Sequence, residues 1–205
     1  FVYEVRGLWE DTQVADGLVA ESSDRYRWSR ELETECMRAA HAAITLSATQ
    51  AEELAARGIP STKIFIVPNA VDEALHRPLE RDAELAERWR LTNSGQVIGY
   101  VGSMARYEGL PLLMRAFARL GRESSVKLLL VGDGEELIEL RRLAAALGIE
   151  GRVILPGRVS AGEAARYLTL IDVYVIPRKD LRVCRFVSPF KPLEAMGAGK
   201  ILVTS

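Results

Sequence analysis

The chain has 205 residues, 48% hydrophobic and 27% charged, enough apolar material for one large domain or two small ones. Its 27 basic and 28 acidic residues leave a net charge of −1, which excludes a polybasic nucleic-acid binder and leaves any anion site to local clusters. The two cysteines, Cys36 and Cys184, form neither a disulfide framework nor a zinc spacing and fit a reducing compartment, and no apolar run approaches the length of a membrane span.

The chain opens with a strand over 1–6 and a turn at Gly7. After a polar interval, Leu32, Cys36, Met37 and Ala40 fall at helical spacing within a helix over 26–40. Residues 42–46 form a short buried strand. Thr49 and Glu52 have capping-box spacing and begin a helix that Gly58 closes. Residues 64–67 are strand, stopped by Pro68. From 71 to 95 the charged residues, His76, Pro78 and a short helix over 82–89 read as a connection between domains.

Beyond it the alternation is regular. Strands are expected at 97–101, 126–131, 153–155, 173–176 and 201–203. Helices are expected at 110–120 and 135–147, after the cap formed by Ser160 and Glu163, and at 191–198. Short apolar runs alternating with such helices predict an α/β fold with a parallel sheet covered on both faces. Both ends fall inside apolar runs, at 1–3 and 201–205, so the chain is expected to be an internal piece of a longer protein that leaves apolar surface exposed at its cuts.

In an open parallel sheet, ligands bind at the carboxyl ends of the strands. Four such ends carry candidates. In Gly102-Ser103-Met104-Ala105-Arg106-Tyr107-Glu108-Gly109 two glycines let backbone amides approach a phosphate at a helix start, or simply make a strand–helix turn. Gly132-Asp133-Gly134-Glu135 is a weak Gly-x-Gly that turn chemistry alone would explain. At Pro156-Gly157-Arg158-Val159 the glycine leaves room for a flat base against the backbone, or the segment is only a loop before a cap. The fourth, 177–199, places Arg178, Lys179, Arg182 and Arg185 ahead of a helix start carrying Lys191 and Glu194. Cations there suit a diphosphate and a carboxylate one turn in suits ribose hydroxyls, although such a charge run is equally a solvated loop.

These segments, taken in order, resemble the retaining glycosyltransferases of family 4. The resemblance rests on Ile66-Val67-Pro68-Asn69-Ala70-Val71-Asp72, the loop 101–110, Leu129-Leu130-Val131-Gly132-Asp133-Gly134, the segment 153–159, and Leu193-Glu194-Ala195-Met196-Gly197-Ala198-Gly199. The form Ser188-Pro189-Phe190-Lys191-Pro192-Leu193-Glu194, together with Tyr107-Glu108-Gly109-Leu110, is similar to a subgroup associated with bacterial polysaccharides. The resemblance implies the GT-B fold of two Rossmann-like domains, both incomplete here. Residues 1–72 would be part of the acceptor-side domain, 73–95 the interdomain connection and 96–205 the truncated donor-binding domain.

It further implies a metal-independent, retaining transfer of a sugar from a nucleotide-diphosphate sugar to a glycan or lipid-linked acceptor. No cofactor beyond the donor substrate and no nucleic-acid partner are expected. The implied place is the cytoplasm, with association at the cytoplasmic face of the inner membrane as one option. Arg6, Lys191 and Glu194 are the implied catalytic residues. Donor binding falls to Gly102, Ser103, Arg106, Gly109, Gly132, Gly134, Gly157, Arg158, Val159, Arg178, Arg182, Arg185, Ser188, Pro189, Lys191, Leu193 and Glu194. Two departures stand out: Phe186 replaces a glutamate that normally touches the transferred sugar, and Ser103 and Glu108 replace an arginine and a lysine. Lys191, with Arg178, Arg182 or Arg185, is the expected substitute for those cations. The alternatives are a nucleotide-sugar epimerase or a non-catalytic nucleotide-sugar-binding relative, and an α/β protein whose glycines are only turns. His41 is expected to be structural, and the piece alone is expected to be inactive.

Overall fold

Parallel strands cannot be joined by hairpins, so each pairing forces a crossover and brings all carboxyl ends to one edge of a sheet. The computed structural model describes residues 1–72, 77–92, 95–121 and 124–205, and among these every strand pairing is parallel. His76 lies outside the described residues. The chain divides into two compact units, one of Phe1–Ala70 with Asp180–Pro189 and one of Val71–Lys179 with Phe190–Ser205.

The first unit carries β1 (Val2–Val5), β2 (Ala42–Thr45) and β3 (Ile64–Ile66) in that spatial order. Helices α1 (Trp9–Ala15), α2 (Asp24–Ala39) and α3 (Ala48–Ala56) supply the crossovers. Its core gathers Val5, Leu8, Met37, Ala43, Leu54 and Ile59. The polar interval after Gly7 turned out to be helix α1. Its polarity is misleading because Glu10 and Asp11 are only 2% and 3% exposed. Helix α3 starts two residues earlier than the Thr49–Glu52 spacing predicts. Its cap is Ser47, whose hydroxyl accepts from Gln50 N (3.2 Å), while Gln50 Oε1 reaches back to Leu46 N (3.1 Å). Gly58, at φ +84°, follows the end of α3 as expected.

The buried acids of the first unit meet one buried and two partly exposed guanidiniums. Arg57, 1% exposed, donates to Glu10 (2.6 Å), Glu53 (2.9 Å) and Glu33 (3.4 Å). Arg30 reaches Glu53 at 2.9 Å. Arg182, on the short helix α8 (Arg182–Phe186), reaches Glu53 (2.6 Å) and Asp11 (3.0 Å), and Asp11 also accepts from the Tyr26 hydroxyl (2.7 Å). Four carboxylates against three guanidiniums leave one negative charge in excess, and Glu33 bears the strain. Burial, and next the neighbouring Glu10, push its carboxyl up to about 7 against the pull of Arg57.

The second unit holds β4 (Val97–Val101), β5 (Lys127–Val131), β6 (Val153–Gly157), β7 (Val173–Ile176) and β8 (Ile201–Thr204) in the order β6-β5-β4-β7-β8. Strand β5 shows why the run is continuously apolar. Leu128 and Leu130 enter a core with α5 (Leu110–Ala118) and α6 (Leu137–Ala146). Leu129 and Val131 enter a second core with α4 (Ala83–Arg88), α7 (Ala161–Leu170) and Ala195 of α9 (Lys191–Gly197). Both faces of the sheet are covered, as the pattern predicts. Helix α7 begins with the expected capping box, in which Glu163 N donates to Ser160 Oγ (3.3 Å) and Ser160 N to Glu163 Oε2 (2.9 Å).

The division differs from the sequence reading in two places. Residues 77–92 are not a free-standing connection, because Leu85, Ala86 and Leu91 are buried in the core of the second unit. Residues 180–189 belong to the first unit, where Phe186 packs against the core and beneath the Arg182 guanidinium, 4.7 Å from its centre.

The proton on Glu33 gives the first unit a pH signature. Its carboxyl is protonated in the folded chain at pH values where the unfolded chain has ionised it, so its contribution falls as pH rises from 4.5 to about 7 and stays low above. Glu33→Gln should gain stability over the parent across that window, by on the order of 2–3 kcal/mol at pH 8. Denaturant melts of both proteins at pH 5 and pH 8 check this; a difference that does not grow with pH refutes it.

Candidate functional site

The carboxyl ends of β4, β5 and β6 are brought together by glycines. Beyond β4, Gly102 adopts φ +150°, and beyond β5, Gly132 adopts φ +137°. A Cβ on Gly132 would collide with the carbonyl oxygen of Gly102, and one on Gly134 would lie 2.7 Å from the Met104 carbonyl oxygen. The loops after β4 and β5 therefore touch backbone to backbone. Gly109, at φ +72°, is pressed in the same way against the carbonyl oxygen of Pro177 beyond β7. Gly157, at φ +87°, is different: nothing lies within 4 Å of where its Cβ would stand.

Three of the glycine amides are already used. Gly102 N donates to Val131 O (2.9 Å), Gly132 N to Gly157 O (3.0 Å) and Gly134 N to Asp133 Oδ1 (2.8 Å). Those three amides serve the loops themselves. The glycines set loop spacing, and Gly109 is a packing position. What the spacing leaves is a cavity of about 400 Å³ lined by Val101, Gly102, Ser103, Val131, Gly132, Asp133, Gly134, Arg158, Val159 and Ala164. Six of the predicted donor residues therefore share one concavity: Gly102, Ser103, Gly132, Gly134, Arg158 and Val159.

Val101 and Ala164 also line a second, more apolar cavity of about 470 Å³, so the two adjoin. Glu194 of α9 lines this one, with Tyr174, Leu168, Thr169, Arg77, Leu79 and Lys200 among its walls. The Tyr174 hydroxyl fixes the shared wall by donating to Val101 O (2.7 Å) and accepting from Val101 N (3.1 Å). Burial, then the charge of Glu194, raises the phenol above its ordinary range. Lys200 Nζ donates to Thr169 O (3.3 Å), and burial lowers its ammonium. Leu193 sits beside Glu194 in the same helix.

The cations sort into groups. Lys191 Nζ (2.8 Å) and the Arg178 guanidinium (3.2 Å) both contact Oε1 of Glu108, which is completely buried. Burial opposes the charge of Glu108, yet Lys191 first and then Arg178 hold its carboxyl below the usual carboxylate range. The stem of Lys191 runs across Gly102, where a Cβ would collide with Cε. Its ammonium lies 5.5 Å from the centre of the Tyr100 ring. Arg106 pairs with Glu135 at 3.3 Å on the surface.

Arg182, Arg185, Ser188 and Pro189 fall in the first unit. Arg182 is engaged by Asp11 and Glu53, Arg185 donates to Asp180 at 2.6 and 2.8 Å, and Ser188 O accepts from Asn69 Nδ2 at 3.1 Å. Of the expected substitute cations, the structure groups Arg178 with Lys191 and ties Arg182 and Arg185 to carboxylates of the first unit. Arg6, also in the first unit, lies 3.9 Å from Glu4. Glu108 stood out only as a departure from the family's lysine, without a role, and Tyr100 was missed. Nothing in the sequence marks a single glutamate in a turn as buried.

Two family models match this chain. Residues 95–205 fit glycosyl transferases group 1, and residues 2–75 fit glycosyltransferase family 4. The chain belongs to the family 4, group 1 glycosyltransferases. It is 33% identical over 150 residues to a 2-deoxystreptamine glucosyltransferase of Streptomyces kanamyceticus, covering 69% of this chain and 38% of that protein. It is 25% identical over 174 residues to a GDP-mannose-dependent alpha-mannosyltransferase of Corynebacterium glutamicum, covering 85% and 37%. Among solved structures, Anabaena HepE in complex with UDP and glucose superposes with a TM-score of 0.78 at 18% identity, over 99% of this chain and 52% of that one. The chain thus spans under two fifths of these curated relatives and about half of HepE. The fold of this family 4 chain is GT-B, with two Rossmann-like units of parallel strands. Among the described residues, no helix is long and apolar enough to cross a membrane.

The glycines differ in what replaces them. Gly109→Ala and Gly132→Ala each force a methyl into a carbonyl oxygen at positive φ and should cost roughly 2–5 kcal/mol. Gly157→Ala meets only backbone strain, about 1–2 kcal/mol. Thermal unfolding should show the first two losing clearly more than the third; equal losses would contradict the packing.

Proposed function

We propose that the second unit of this family 4 glycosyltransferase binds the donor, a nucleotide-diphosphate sugar, for retaining and metal-independent transfer of the sugar to a glycan or lipid-linked acceptor. The observation that carries the reading is the pair of adjoining cavities at the strand ends, one walled by the glycine loops and the other by Glu194. A nucleoside diphosphate has a flat base, a diol and two phosphates, and these cavities offer a matching sequence of surfaces. The open face of Gly157 with Arg158 and Val159 would frame the base. The Glu194 carboxylate would accept from the paired ribose hydroxyls, and Ser103, Lys191 and Arg178 would meet the phosphates.

Cleavage of the bond to the anomeric carbon leaves charge on the diphosphate. Fixed cations in a site of low dielectric stabilise that charge more than flexible ones in water. Lys191 and Arg178, 15% and 14% exposed, are held in such a place. The chain contributes orientation and charge; the retaining outcome is proposed on family membership. HepE in complex with UDP and glucose, and the mannosyltransferase whose name specifies GDP-mannose, support the donor class and leave the base open. The proposed place of action is the cytoplasm or the cytoplasmic face of a membrane, where nucleotide sugars and lipid-linked acceptors meet.

Calorimetric titration with uridine and guanosine diphosphates tests the reading. One base should bind preferentially, and Glu194→Ala should weaken it by roughly tenfold or more through loss of the diol contact. A folded chain that binds neither diphosphate would overturn the assignment.

A further inference from the structure

We propose that Glu108 is a positioning residue of the donor site: its buried carboxylate holds Lys191 and Arg178 against the glycine loop, in the arrangement that meets the diphosphate. The inference rests on the donor-site reading above and concerns how its cations are kept in place.

Glu108 ends the turn Arg106–Glu108, next to Gly109, and the structure spends unusual effort on it. One carboxylate oxygen receives both cations, at 2.8 and 3.2 Å. The other oxygen is buried with no hydrogen-bond partner among the described residues. An ionised group left half satisfied is costly, and a carboxylate retained on those terms calls for a reason beyond packing. The cations supply one. Lys191 and Arg178 are 15% and 14% exposed, and without Glu108 two like charges would be nearly buried side by side. A lysine has a long flexible stem and a strongly hydrated head, so it would swing out to water.

The path of Lys191 supports the same conclusion. Its stem crosses Gly102, where any side chain would collide with it, and its ammonium approaches the face of Tyr100. The Tyr100 hydroxyl donates to Ser103 O at 2.7 Å. Glycine, aromatic face and carboxylate together fix one lysine conformation. An ammonium carries three donors and Glu108 takes one, which leaves capacity for phosphate oxygens. Ser103 and Gly102, whose backbone lies on the Lys191 stem, both line the cavity.

Charge counting and positioning predict opposite signs. Removing a negative charge beside an anion site should tighten binding if Glu108 is only a counter-ion. If Glu108 positions the cations, Glu108→Gln should weaken binding of the nucleoside diphosphate by roughly tenfold while leaving the corresponding nucleoside, which lacks phosphates, unchanged. Glu108→Asp keeps the charge with the carboxylate drawn back by one methylene. It should fold and fall between the parent and Glu108→Gln for the diphosphate alone.

The titrations use the intact 205-residue chain with uridine diphosphate and uridine, or the guanosine pair if that base is preferred, with melting curves run on each variant. Equal or tighter diphosphate binding by a folded Glu108→Gln overturns the proposal, as does Glu108→Asp matching the parent should Glu108→Gln not fold. Equal loss of diphosphate and nucleoside binding also overturns it, since that is a collapse of the pocket. A folded parent that binds neither probe sinks the donor-site reading and this inference with it. A parent that binds, with variants that do not differ from it, sinks the inference alone.

Discussion

A carboxylate that water cannot reach has to be met by positive charge, and Glu108 organises the second unit around that requirement. It sits just before α5, yet its partners come from beyond β7 and from the start of α9. Three segments far apart in sequence are thereby fixed at the carboxyl end of one sheet. The glycines answer the same demand for close approach, Gly102 admitting the Lys191 stem and Gly109 admitting the Pro177 carbonyl.

The first unit solves a related problem less completely. Its four inward acids, Glu10, Asp11, Glu33 and Glu53, meet three guanidiniums, and the residual charge appears as the raised carboxyl of Glu33. Phe186 shows what the chain did with a position where the family resemblance implies a carboxylate. It now covers apolar core and lies under a guanidinium. A phenyl ring cannot make the polar sugar contacts that the resemblance attributes to that glutamate.

The fold was legible because parallel strands buried on both faces leave an apolar signature that few other structures share. Strands β4, β5 and β7, and the Ser160–Glu163 cap, came within a residue of their observed places. Helix α1 was not legible, because its period was carried by Glu10 and Asp11, acids whose burial depends on arginines 20 to 171 residues away. At the site, the cavity residues were readable from glycine spacing, but the role of the glycines was not. Whether an amide faces a ligand or a neighbouring carbonyl depends on strand pairing, which local spacing does not display. The division of the basic loop, with Arg178 in one unit and Arg182 and Arg185 in the other, is also set by tertiary charge.

The crossing of Gly102 by Lys191 bears on how such a site can change over evolutionary time. The two positions are 89 apart in number, yet a side chain at 102 and the present course of the Lys191 stem compete for the same volume. A lineage that first placed an alanine at 102 would have to displace the Lys191 stem from its place beside Glu108. One that first shortened residue 191 would lose a cation and leave Glu108 to Arg178 alone. The order of substitution is therefore constrained, and residues 102 and 191 should be inherited, and randomised in any library, as a pair.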